Sequence, residues 1–212
     1  QDKSSFYGVR GGLWKFKVMP FGLTNAPATF ERLMEKVMGQ LLWQVCLCYI
    51  DDILVFSTNT EQHLNHLESV FMKLDGAGLK LKPKKCHFFQ EKVKFLGHVV
   101  SSDGISTDPD KIDKVKNCPN PESLHEIRSV MGLFSYYRRF IPNFSEIAKP
   151  LICLTEKNKP FIWGEKQEES FTELKRLLTE APVLSYPRKE GTLILDTDAS
   201  DVGIGCVLSQ MQ

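Results

Sequence analysis

Apolar residues recur along this chain with two periods, and the changes of period divide it into elements. Residues 6–30 open with one or two short strands that lead into a loop at Pro20-Phe21-Gly22. Phe30, Leu33, Met34, Val37 and Met38 then recur at helical spacing, with Pro27 in the first turn and Gly39 near the end. Two short apolar runs follow, Val45-Cys46-Leu47-Cys48-Tyr49-Ile50 and Ile53-Leu54-Val55-Phe56. Both are β-branched and aromatic enough to form buried strands. The next helix takes Thr58 as its N-cap, with Glu61 three residues on at capping-box spacing. Its apolar stripe is Leu64, Leu67, Val70, Phe71 and Leu74, and Gly76 and Gly78 stop it. Short strands are predicted around residues 79–82, 87–89 and 94–100.

Composition changes near Ser101, Asp103 and Gly104, where a domain boundary is expected, and the pattern then turns helical. Asp108-Pro109 and Asn120-Pro121 both read as a cap followed by a proline in the first turn. The helix after Asn120 carries Leu124, Ile127, Val130, Met131 and Phe134. Another, over residues 168–178, turns Phe171, Leu174 and Leu177 inward. Pro182 and Pro187 mark a linker, after which Leu193-Ile194-Leu195 starts a new strand. Strands with helices on one side, followed by a helical module, predict an α+β fold.

The 212 residues suffice for one large or two small domains. With 42% hydrophobic and 25% charged residues, the composition is that of an ordinary globular chain. No apolar run approaches the ~20 residues of a membrane span. A net charge of +1 leaves any affinity for nucleic acid to local charge. Lys73, Lys80, Lys82, Lys84, Lys85, Lys92 and Lys94 crowd one segment, either as a phosphate-facing edge or as a solvated face. The six cysteines are scattered, with no Cys-x-x-Cys pair, which fits a reduced intracellular protein better than a disulfide scaffold. Cys46 and Cys48 share one strand face and read as core. His63 and His66 lie three apart on a predicted helix, with no partner to complete a zinc set, so surface or capping roles are expected. The N-terminus carries no signal pattern, while the absence of an initiator Met and a C-terminus that still reads as a strand predict a fragment of a longer chain.

The most pointed chemistry is Asp51-Asp52, placed between two predicted strands. A two-residue break reads as a hairpin with both carboxylates at its tip. The usual two-residue turn wants glycine, and here two like charges are forced together, which is costly unless a cation neutralises them. Mg²⁺, a hard cation with oxygen ligands, is the common choice where phosphates are the substrate. From spacing alone, a plain acidic surface turn is the alternative.

Together with Tyr49-Ile50-Asp51-Asp52, the segment Val18-Met19-Pro20-Phe21-Gly22-Leu23-Thr24-Asn25-Ala26-Pro27-Ala28-Thr29-Phe30 resembles reverse transcriptases of gypsy-type long-terminal-repeat retrotransposons. Gly78-Leu79-Lys80-Leu81 with Lys85-Cys86, then Phe95-Leu96-Gly97-His98-Val99-Val100 and Asp103-Gly104-Ile105, match later blocks of that family in order. So does Met131-Gly132-Leu133-Phe134-Ser135-Tyr136-Tyr137-Arg138-Arg139-Phe140-Ile141-Pro142-Asn143-Phe144. Thr197-Asp198-Ala199-Ser200 with Gly203-Ile204-Gly205-Cys206-Val207-Leu208 resembles the first strands of the ribonuclease H domain that follows the polymerase. Any one block is weak, but the ordered set is specific and covers nearly the whole chain.

The resemblance implies a right-hand polymerase fold. Residues 1–102 would be partial fingers and palm, 103–187 thumb and connection, and 188–212 the start of ribonuclease H. It implies RNA-directed DNA polymerisation on an RNA template, with a DNA primer or RNA–DNA hybrid and dNTPs as partners. Two Mg²⁺ ions, or Mn²⁺ in their place, would be held by Asp51 and Asp52. Tyr49, Phe21 and Gly22 would lie at the nucleotide and template, and Phe95, Leu96 and Gly97 would form the primer grip. Taken alone, Gly97 is a bulge glycine in a strand, and Phe21 a buried residue in a turn. A lysine within residues 82–85 would donate a proton to the leaving pyrophosphate, and the pattern does not select one. Tyr136, Tyr137, Arg138 and Arg139 interleave aromatics with cations as backbone-contacting surfaces do, with Tyr137 as core the alternative. Asp198 would be the first metal ligand of an incomplete ribonuclease H site.

The family pattern also requires an aspartate on an earlier palm strand. The acids before Asp51 are Asp2, Glu31 and Glu35. Asp2 lacks a strand context, and the two glutamates read as surface residues of a helix. The expectation is therefore that the aspartate lies upstream of Gln1 and that this chain alone is a poor polymerase. The rest of the Pol polyprotein is an expected partner, a membrane is not, and the expected location is a cytoplasmic virus-like particle, with the nucleus at a later stage. A catalytically silent remnant or a host-adopted nucleic-acid-binding protein is the alternative of a different class. A third reading, another metal-dependent nucleotidyl or glycosyl transferase, is disfavoured by the other matching blocks.

Overall fold

The computed structural model describes residues 5–9, 11–188, 190–200 and 203–211 and divides the chain into two units, Gln1–Phe88 and Phe89–Gln212. The first unit begins with an antiparallel hairpin of β1 (Ser5–Tyr7) and β2 (Leu13–Lys15). Helix α1 (Ala26–Met38) follows, with Pro27 in its first turn as its fixed φ allows. Strands β3 (Cys46–Tyr49) and β4 (Asp52–Val55) pair antiparallel, and helix α2 (Thr60–Gly76) closes the unit. Part of each predicted helical stripe lies against the hairpin, whereas Leu33 of α1 and Leu64 and Phe71 of α2, expected inward, are exposed because the hairpin covers only one side of each helix. Met34 and Met38 of α1, Cys46 of β3, and Val70 and Leu74 of α2 are all buried, with Phe30, Val37, Ile53 and Val55 packed around them.

Three local expectations change in this unit. The N-cap of α2 is Asn59, whose side chain accepts from the Gln62 N–H at 2.8 Å, and Thr58 instead donates through Oγ1 to the Gln62 side chain. Asn is as good a cap as Thr, and the two are adjacent, so spacing could not separate them. The helix ends in a Schellman motif in which Leu79 N–H donates to Leu74 C=O at 2.9 Å, Gly78 N–H to Asp75 C=O, and Gly78 has φ +69°. The strands predicted around residues 79–82 and 87–89 are absent, and a single 3₁₀ turn, Pro83–Lys85, stands there. Pro83 removes a donor that a paired strand would need.

In the second unit β5 (Lys92–Phe95), β6 (His98–Ser101) and β7 (Gly104–Thr107) form an antiparallel meander. The strand predicted over residues 94–100 is thus two strands joined at Leu96 and Gly97. The composition change near Gly104 is the turn between β6 and β7. Helices α3 (Pro109–Lys116), α4 (Leu124–Tyr136), α5 (Phe144–Cys153) and α6 (Glu165–Thr179) follow, and then a hairpin of β8 (Leu193–Ser200) and β9 (Gly203–Gln210). Asp108 caps α3 as expected, accepting from Asp110 N–H at 3.2 Å. The cap of α4 is Ser123 rather than Asn120, whose amide donates to Glu168. Helix α5 is not among the predicted elements, and it forms with Pro150 inside it, a residue without a backbone donor. The core gathers Ile127, Met131 and Phe134 of α4, Ala148 and Leu151 of α5, and Phe171, Leu174 and Leu178 of α6. Leu177, expected inward, is only partly buried beside them.

The stretch carrying Pro182 and Pro187 is pinned to this unit, because Ile105 and Leu184 exchange backbone hydrogen bonds at 2.9 and 2.8 Å. That contact leaves no room at Gly104. A Cβ there would lie 2.2 Å from the Leu184 carbonyl oxygen, and φ is +138°. Gly104→Ala should therefore destabilise the unit by about 2–3 kcal/mol. Urea unfolding checks this, and an unchanged midpoint would show that the Leu184 segment is not held in solution.

Candidate active site

Register decides where the two aspartates stand. Tyr49 pairs with Asp52, so the two-residue turn consists of Ile50 and Asp51. The spacing predicts both carboxylates at the tip, whereas Asp52 is the first residue of β4 and only Asp51 is in the turn. The turn has no glycine, and Ile50 takes up the awkward conformation with φ +54°. Positive φ at the first central position alone is the II′ pattern, in which glycine is the usual occupant. A β-branched residue there costs on the order of 1–3 kcal/mol.

Both polar groups of Ile50 are held. Its N–H donates to the carboxylate of Glu31 on α1, and its carbonyl accepts the Cys48 thiol at 3.7 Å. The Cys48 thiol is pushed up to about 11, first by burial, then by the negative charges of Glu31, Cys46, Asp51 and Asp52. It therefore stays protonated and remains a donor. Glu31, expected to be an ordinary surface residue of a helix, is instead half-buried against the acidic turn. No sequence signal pointed to it, since the bond spans 19 positions.

The Asp51 and Asp52 carboxylates are exposed, and neither makes a hydrogen bond or ion pair among the described residues. Two free hard-oxygen donors side by side fit a Mg²⁺ ion that takes its other ligands from phosphate and water. The described residues hold no group of three or more metal-ligating side chains in one place, and Asp2 lies outside the described residues. Tyr49 precedes the turn on β3 and is half-exposed. Phe21 is fully exposed, which sets aside the buried-turn reading, and Gly22 beside it has φ +88° with open space where a Cβ would be.

The Phe95-Leu96-Gly97 segment forms a second tight turn. Phe95 pairs with His98, and Leu96 and Gly97 both have positive φ, at +49° and +73°. This is the I′ pattern, so Gly97 is a turn residue rather than a bulge. Two tyrosines of α4 and its C-cap hold it: Tyr136 Oη donates to the Leu96 carbonyl, and Tyr137 Oη to the Gly97 carbonyl at 2.6 Å. Tyr137 is core, at 1% exposure, and Tyr136 stacks on His98 with ring centroids 5.2 Å apart. In the sequence these two residues present a backbone-contacting and stacking surface, with core as the alternative for Tyr137. Nothing in the sequence announced their bonds across 40 positions.

His98 is enclosed by Tyr136, Tyr137 and Phe140, and its Nδ1 is buried with no hydrogen-bond partner among the described residues. Burial, and then the nearby Arg139 charge, hold its pKa below the ordinary 6.5. An unfolded chain takes up that proton near pH 6.5, whereas the folded one waits for a lower pH. Stability should thus be undiminished above pH 6.5 and fall as the pH drops below it. Thermal unfolding across that range checks this, and His98→Phe should flatten the dependence.

Asp198 lies exposed on β8, paired with Gly205. The lysines of the crowded segment are all exposed, but Lys94 is committed to Asp108 at 2.9 Å and to Asp110. His63 and His66 serve loops, bonding Ser57 Oγ and the Phe56 carbonyl at 2.8 Å each. All six cysteines are free. No helix among the described residues is long and apolar enough to cross a membrane.

Residues 4–100 match the family described as reverse transcriptase (RNA-dependent DNA polymerase), and residues 163–212 the RNase H-like domain found in reverse transcriptase. The retrovirus-related Pol polyprotein from transposon 297 of Drosophila melanogaster is 43% identical over 205 residues, covering 96% of this chain and 19% of that protein. The Pol polyprotein from transposon gypsy of the same fly is 36% identical, covering 99% of this chain and 21% of that protein. The chain thus spans about a fifth of these curated relatives. The foamy viral protease-reverse transcriptase, solved in complex with an RNA/DNA hybrid, superposes with a TM-score of 0.77 at 30% identity, over 93% of this chain and 27% of that one. The mixed helix-and-sheet fold is that of a reverse transcriptase, and the chain belongs to the reverse transcriptases of gypsy-type retrotransposon Pol polyproteins.

Proposed function

We propose that this chain carries part of the catalytic centre of an RNA-directed DNA polymerase that transfers nucleotides from dNTPs to a primer 3′-hydroxyl. The observation that carries the reading is the exposed Asp51-Asp52 pair, whose carboxylates have no partner among the described residues, at the junction of β4 and a turn in which Ile50 is held at positive φ. Asp51 and Asp52 would hold divalent metal, Mg²⁺ or Mn²⁺. When bound, the metal stabilises the attacking and leaving oxygens of the transfer. Tyr49, flanking the turn on β3, would pack near the primer end. Phe21 and Gly22 would lie beside the incoming nucleotide and template, where an exposed ring can stack and a residue without Cβ lets a base approach. Lys82, Lys84 or Lys85, all exposed, would donate the proton that the leaving pyrophosphate takes up. The Leu96-Gly97 turn would grip the primer, and Asp198 would belong to the ribonuclease H site.

The RNA/DNA hybrid held by the structurally similar foamy viral enzyme supports a hybrid as the nucleic-acid partner. The test is primer extension on an RNA template with Mg²⁺, using this chain within a full-length Pol polyprotein. Template-dependent synthesis is expected, and its absence from a folded protein that still binds hybrid would overturn the reading.

A further inference from the structure

We infer that Glu31 is a positioning residue whose carboxylate, by holding the Ile50 amide, fixes the turn that presents Asp51. The inference rests on the proposed metal-binding role of Asp51. Ile50 has φ +54°, a conformation its branched side chain disfavours, and it sits next to the residue whose carboxylate must be placed. A strained residue keeps such a conformation only where its surroundings over-determine it. Here the surroundings are two hydrogen bonds, Ile50 N–H to Glu31 and the Cys48 thiol to Ile50 C=O.

Glu31 can serve as a fixed anchor because of its place on α1. Glu31, Met34 and Met38 stand at i, i+3 and i+7, so they share one helix face. Met34 and Met38 are 2% and 0% exposed in the core. The packing that seats the helix therefore also aims the carboxylate at the hairpin. An anionic acceptor makes a stronger bond to an amide than a neutral one, and it brings a third negative charge towards Asp51 and Asp52. That charge would be self-defeating unless the acceptor role or the cation attraction offsets it, and the two can be separated by experiment. Glu35, one turn further along, is exposed and serves as a control.

The test uses the full-length Pol polyprotein carrying Glu31→Ala, Glu31→Gln or Glu35→Ala, with kcat, dNTP KM, Mg²⁺ dependence, hybrid affinity and thermal midpoint measured for each. Misplacing a reacting group by about 1 Å can cost 10²-fold, so Glu31→Ala should lower kcat by roughly 10- to 100-fold. The KM, hybrid affinity and midpoint should stay close to those of the parent. Glu31→Gln keeps an acceptor oxygen and should return kcat to within about threefold, and Glu35→Ala should change nothing. Equal losses in Glu31→Gln and Glu31→Ala, with a raised Mg²⁺ requirement, would overturn positioning in favour of charge. An unchanged kcat in Glu31→Ala, or a loss matched by weaker hybrid binding or a lower midpoint, would overturn it as well. Asp51→Asn in the same assay isolates the underlying reading: if that variant stays active, the role of Asp51 fails and takes this inference with it.

Discussion

Asp51→Asn is expected to lower template-dependent synthesis by about 10³-fold or more, the equivalent of the several kcal/mol that metal-assisted charge stabilisation supplies. The substitution is nearly isosteric, and Asn is at least as comfortable as Asp in a turn, so the Ile50-Asp51 turn should survive it. What it removes is the charge on a side chain that has no protein partner among the described residues. Folding should therefore be untouched, or slightly improved by the relief of repulsion with Asp52. Primer extension on RNA, read beside hybrid affinity and thermal midpoint, separates the two effects. Retained synthesis would remove Asp51 from the metal site, and a lost midpoint would make the defect one of folding.

The second large effect is expected at Tyr137. This residue is 1% exposed, its ring meets His98 and Phe140, and its hydroxyl donates to the Gly97 carbonyl at 2.6 Å. Tyr137→Ala should cost about 3–5 kcal/mol through the cavity left by a large aromatic. Tyr137→Phe keeps the ring and loses only the bond. It should cost about 1–2 kcal/mol, since the carbonyl of a half-buried turn loses its donor. The pair of variants divides packing from turn-holding, and urea unfolding measures both. If Tyr137→Phe matches the parent, the Leu96-Gly97 turn keeps its I′ shape without the tyrosine.

The two turns share a design. Each places an apolar non-glycine residue, Ile50 or Leu96, at positive φ, and each is held by side chains from a helix distant in sequence. Of the two turns themselves, one was legible in advance. Asp51 and Asp52 between two apolar runs predicted the hairpin, and the register then put Asp52 on the strand instead of at the tip. The Leu96-Gly97 turn was hidden, because an unbroken β-rich run over residues 94–100 reads as one strand. Neither holding group was legible. Glu31 looks like any polar helix residue, and the two tyrosines look like core or a stacking surface.

By itself the sequence determined what local chemistry and period can determine. It set the existence of helices α1, α2, α4 and α6 and most of their buried positions, the Asp108 cap, the acidic turn between β3 and β4, and an ordered series of motifs that places the chain in its family. Those follow from side-chain spacing within a few residues. The tertiary structure alone decided which of two adjacent polar residues caps a helix, that a helix forms through Pro150, that Gly104 faces the Leu184 backbone, and which side chains hold the two strained turns. Each of those depends on groups 19 to 80 positions apart, or on competing local options of nearly equal energy. Packing chooses between such options, and no short stretch of sequence contains that choice.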